Sequence, residues 1–180
     1  AAPGGANETE SLRHILGRNA IEEGNDILGK FNPGLGAQSF DIEGAAKFVP
    51  KGSDLVFELH YTTSGKPSSD VSKLGLVLAK ADPKKRYFFH AGPTALNLAI
   101  PPGEGSAEVV SEITFGEDAQ LVYAQPHMHL RGKDFELRVV APDKAPQTVL
   151  KGNFNFEWQM GYQYAEPIAM PKGSKLQLIT

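Results

Sequence analysis

From residue 46 onward the chain is made of short runs in which apolar and polar residues alternate, each closed by glycine, proline or aspartate, and no run sustains helical spacing. The clearest is 54–62, where Leu55, Phe57, Leu59 and Tyr61 share one face and Val56, Glu58, His60 and Thr62 the other. Further strands are expected at 47–49, 74–79, 86–90, 95–100, 107–115, 119–124, 135–141, 148–151 and 175–179, with an aromatic-rich stretch at 154–164. Short strands between turn signals bury their apolar faces by stacking sheets. The expected fold is therefore all-β, an antiparallel β-sandwich. A dinucleotide-binding fold or α/β barrel would need helices between the strands, and no Gly-rich phosphate loop is present. Ahead of the strands, 1–8 reads as a flexible leader. Leu12, Ile15 and Leu16 give 10–20 the spacing of a short helix that carries His14, and 24–44 reads mostly as loop.

With 180 residues the chain can bury a core as one ordinary domain or two small ones. A net charge of −3 creates no field that would gather nucleic acid. No apolar run is long enough to span a membrane. The sequence has no cysteine, so any metal must be held by histidine, methionine or carboxylate.

Two of the five histidines fall in Gln125-Pro126-His127-Met128-His129-Leu130-Arg131-Gly132. If the strand at 119–124 runs on through them, period-two alternation points His127 and His129 to the same face and Met128 to the opposite one. Two neutral imidazoles side by side can chelate copper, zinc or iron. The plainer account is a pair of surface or core histidines. His60, on the half-polar face of its run, is either an exposed strand histidine or a ligand. His14 and His90 read as packing or surface residues.

The sequence also echoes itself. Pro50-Lys51-Gly52-Ser53-Asp54-Leu55 returns as Pro171-Lys172-Gly173-Ser174-Lys175-Leu176, either by coincidence of a common turn or because two related sandwiches stand in tandem. Superposing the copies sets Thr180 opposite Leu59, which leads to the expectation that the chain is cut from a longer protein.

Leu59-His60-Tyr61-Thr62-Thr63-Ser64-Gly65-Lys66, Ile100-Pro101-Pro102-Gly103, Pro126-His127-Met128-His129-Leu130-Arg131-Gly132-Lys133 and the aromatic stretch before Pro171-Lys172-Gly173 resemble, in that order, the copper type II ascorbate-dependent monooxygenases. That family includes peptidylglycine α-hydroxylating monooxygenase and dopamine β-hydroxylase, and the likeness is closest to its bacterial members. The resemblance implies jelly-roll-like sandwich domains in tandem, each with one copper, that hydroxylate a C–H bond with dioxygen. It covers the chain from about residue 24, beyond the leader and possible helix of 1–23, and implies 24–63 as the end of a first sandwich, 64–85 as linker and 86–180 as a second sandwich. His60 would belong to the electron-delivering copper and His127 and His129 to the copper that meets dioxygen, with ascorbate as reductant, a small-molecule or peptide substrate, and an extracytoplasmic location, periplasmic or secreted.

The sequence departs from the family pattern at three places. It has no adjacent His-His pair, the family's methionine ligand falls beyond residue 180, and Gln125 stands where the peptidylglycine enzyme has a carboxylate-binding arginine. Met160 and Met170 are expected to pack in core or loops. The 180-residue chain alone is expected to lack a complete active site. Two other classes compete: a cupin-like mononuclear metal enzyme using His127, His129 and Asp134, and a non-catalytic β-sandwich binding module presenting Phe154, Phe156, Trp158, Tyr162 and Tyr164.

Overall fold

The computed structural model describes residues 27–32, 34–38, 42–87, 89, 92–95 and 98–180. Among these every regular element is a strand: β1 (Ala45–Ala46), β2 (Lys85–Arg86), β3 (Val110–Thr114), β4 (Ala119–Ala124), β5 (Asp134–Val140), β6 (Gln147–Asn153), β7 (Tyr162–Met170) and β8 (Lys175–Ile179). The helix expected at 10–20 lies outside the described residues, as do His14 and His90. The chain divides into two compact units. Phe31–Gln38 and His90–Thr180 belong to one, and the described parts of Glu10–Lys30 and Ser39–Phe89 belong to the other.

In the larger unit β3, β8, β5 and β6 form one antiparallel sheet in that order, and β4 pairs with β7 as a separate antiparallel ribbon. Alternation decides what is buried. Phe135, Leu137 and Val139 of β5 turn inward, while the alternate residues Glu136, Arg138 and Val140 stay partly solvated. Leu137 and Val139 meet Leu176 of β8 and Met170 at the end of β7, and Leu121 of β4 and Ile168 of β7 pack against them. Four-stranded sheet and ribbon thus share a single core, in which each buried aliphatic side chain contributes about 1.5–3 kcal/mol.

The echoed sequence forms the same turn twice. Gly173 has φ +87°, and the Ser174 N–H donates to the Pro171 carbonyl at 2.9 Å; Gly52 has φ +85°, and the Ser53 N–H donates to the Pro50 carbonyl at 3.2 Å. A positive φ at the third position is a type II requirement that glycine meets without strain. Beyond the turn the two copies part. After Ser174 the chain becomes β8, bonded on both sides, whereas residues 54–62 form no strand and leave Leu55, Phe57 and Leu59 about half exposed. The strand expected at 74–79 is likewise unformed. Alternation fits a chain to a sheet, but a strand exists only where a neighbour accepts its backbone bonds, and none does so among the described residues.

The smaller unit holds β1 against β2 in parallel, Ala45 opposite Lys85 and Ala46 opposite Arg86, a departure from the antiparallel pairing expected. The Arg86 guanidinium lies over the Phe48 ring at 4.4 Å and Lys47 Nζ over Phe89 at 4.8 Å.

Candidate functional site

The site lies where the β4–β7 ribbon ends. Tyr123 opposes Gln163 and Ala124 opposes Tyr162, and beyond that register no strand pairing continues. Two residues explain the stop. A side chain at Gly161 would run into the Tyr123 ring, so glycine brings the two chains unusually close there, and Pro126 has no N–H to offer a ladder. His127 and His129 therefore stand just past the strand and not on it, a correction to the continuous strand expected through them. The chain turns directly afterwards, with the Gly132 N–H donating to the His129 carbonyl at 2.8 Å. A Cβ on Gly132 would fall 2.6 Å from Met128 Cβ and 2.9 Å from Phe154 Cδ1, so the tightness of this turn depends on glycine.

The two imidazoles nevertheless come together. Their centroids are 5.4 Å apart with ring planes at 76°, and both residues are exposed. Behind His127 lies Gln159, only 6% exposed. Its Oε1 is 2.7 Å from His127 Nδ1 and accepts from Asn32 Nδ2 at 3.0 Å. Its Nε2 donates to the Phe156 carbonyl at 3.0 Å, and its own carbonyl accepts from Gln125 Nε2 at 3.4 Å. Asn32 belongs to a segment crossing behind this loop: Gly34, at φ +87°, leaves no room for a side chain against Trp158, and Gln38 Nε2 donates to the Tyr123 hydroxyl at 3.4 Å. Burial pushes the Tyr123 hydroxyl above its ordinary range, with the Gln38 bond opposing the shift. Pro126, Phe154, Trp158, Gln159, Met160 and Tyr162 line a shallow depression beside the pair.

His60 belongs to the smaller unit. Its side chain is 82% exposed, and its Nε2 lies 3.0 Å from Glu58 Oε1, the neighbour two residues back on the same face of the extended chain. Among the methionines, Met170 is buried in the core, Met160 borders the depression and Met128 abuts Gly132. Among the described residues no three His, Asp or Glu side chains converge as a metal-binding group, so Asp134 does not complete a cupin-like set. Phe156, Trp158 and Tyr162 are surface-exposed, while Tyr164 is partly buried, its hydroxyl enclosed with no hydrogen-bond partner among the described residues. Gln159 and Asn32 carry no signal in the sequence that would single them out. A glutamine 32 positions from the histidine it touches leaves no local pattern to find.

No protein-family model matches the chain, and no curated protein matches it at a significant level.

Proposed function

We propose that this protein is a copper-binding β-sandwich related to the ascorbate-dependent monooxygenases, with copper held at His127 and His129. The observation carrying this reading is the adjacency of the two exposed imidazoles, 5.4 Å between centroids, with one of them backed by a buried hydrogen-bonded side chain. The donor set fits copper, because imidazole serves both Cu(I) and Cu(II), and exposure leaves coordination positions for solvent or dioxygen. Copper bound there would supply one-electron redox chemistry and dioxygen activation. Gln159 orients the His127 imidazole from behind.

On this reading the larger unit is the second of two tandem jelly-roll-like sandwiches, His60 is a ligand of a separate electron-supplying copper, ascorbate is the reductant and the protein works outside the cytoplasm. With two histidines at one site and one at the other, the described residues make only part of a monooxygenase centre. Titration with Cu(II) tests the reading. About one equivalent bound by the parent chain and lost in both His127→Ala and His129→Ala supports it; uptake indifferent to both substitutions refutes it.

A second reading rests on the exposure of Trp158, at 59%, next to Phe156 and Tyr162: a non-catalytic module that stacks a ligand on this aromatic surface. A Trp158→Ala variant that lost ligand binding in metal-free protein would favour it.

A further inference from the structure

Gln159 is buried, makes four polar contacts and has no place in the pattern that singles out the histidines. We infer that Gln159 is a positioning residue that fixes His127 in the Nδ1–H tautomer, so that Nε2 is the ring nitrogen His127 presents to a cation beside His129; the metal in this inference rests on the function proposed above.

Donor and acceptor chemistry dictates the assignment. The carbonyl of Phe156 can only accept, so the Gln159 atom 3.0 Å from it must be the amide nitrogen. Turning the amide over would set two carbonyl oxygens against each other in a buried place. Oε1 therefore faces Asn32 and His127, and an oxygen that can only accept requires a proton on His127 Nδ1, 2.7 Å away. In a neutral imidazole whose Nδ1 carries the proton, Nε2 bears the lone pair. Asn32 Nδ2, also donating to Oε1, holds the acceptor in place from the other side. Histidine ligands of metals commonly donate their second ring nitrogen to a fixed acceptor in this way, and losing that acceptor costs about 10–100-fold in metal affinity. Here the acceptor is a side-chain amide anchored by neighbours of its own, and it is set before any metal arrives.

The first measurement needs neither metal nor turnover. Nitrogen-15 NMR of the histidine rings in metal-free protein, at a pH where the imidazoles are neutral, should show Nδ1 of His127 as the protonated nitrogen and Nε2 as the unprotonated one. In Gln159→Met, which keeps the volume and removes the acceptor, His127 should become a mixture of tautomers, and Cu(II) affinity should fall about 10–100-fold. In Asn32→Ala, where the Phe156 carbonyl still holds the amide, the tautomer should persist. A parent protein with Nε2 protonated at His127 overturns the inference even if Gln159→Met fails to fold, and so does a His127 tautomer unchanged in a folded Gln159→Met. If the tautomer is as stated but the parent binds no copper, Gln159 keeps its positioning role and the metal-binding reading falls.

Discussion

Gln159 is held by partners far away in sequence, whereas Glu136 gathers one from its own strand and two from the next. Its carboxylate accepts from Arg138 Nε at 2.6 Å, Thr148 Oγ1 at 2.6 Å and Lys151 Nζ at 3.1 Å, joining β5 to β6. These bonds, that of Arg138 first, pull its pKa from 4.5 to about 2. A carboxyl depressed on folding stabilises fully above its unfolded value and loses that contribution as pH falls through its folded one. The cluster's contribution should thus fade between about pH 4.5 and pH 2, and the acid-unfolding curve of Glu136→Gln should be flatter across that window. Parallel curves for parent and variant would mean that the cluster stands open in solution. The histidines themselves were legible as a pair from the one-residue spacing of His127 and His129. The glutamine behind them was not, because its relevance exists only once β7 lies beside β4.

Among the elements, β3, β4, β5, β6 and β8 could be located from alternation and turn residues, and β4 and β8 fall on the expected bounds. β7 escaped. Tyr164, Ala165, Glu166 and Pro167 stand opposite the single Val122 where the register shifts, so neither alternation nor strand propensity runs cleanly through it. Proline can occupy such an irregular stretch because no ladder bond is asked of it. The converse error is 54–62, whose alternation is the cleanest in the chain and which has no partner strand among the described residues. The turn that closes the histidine loop gives a test at this scale. Gly132→Ala must displace Met128 or Phe154 from contacts of 2.6 and 2.9 Å, which shifts the loop carrying both imidazoles. We expect Cu(II) affinity to fall at least about tenfold, as a mispositioned ligand implies, while the ribbon and sheet remain folded by circular dichroism. Unchanged affinity would mean that the pair does not depend on the turn.

Across the whole molecule, order is unevenly distributed. The larger unit has a core fed by both of its sheets, while the smaller has two short paired strands and a long exposed stretch from Lys51 to Lys80. Exposed backbone without ladder bonds opens to proteases at little cost, and buried strands do not. Limited trypsin digestion should cut first after Lys73 or Lys80, before Arg138 in β5 or Lys151 in β6; early cleavage in β5 or β6 would contradict this division. Fold class was readable from the sequence because sheets need alternation everywhere. Which alternating runs find a partner is settled by the whole chain, and no window of the sequence holds that information.

Whether His127 and His129 together bind copper can be read from electron paramagnetic resonance of the chain loaded with one equivalent of Cu(II). Nitrogen couplings from two imidazoles are expected in the parent chain, absent from His127→Ala and His129→Ala and retained with a weakened site in Gln159→Met. A spectrum without imidazole coupling, or one identical in the parent, His127→Ala and His129→Ala, would contradict copper binding by the pair.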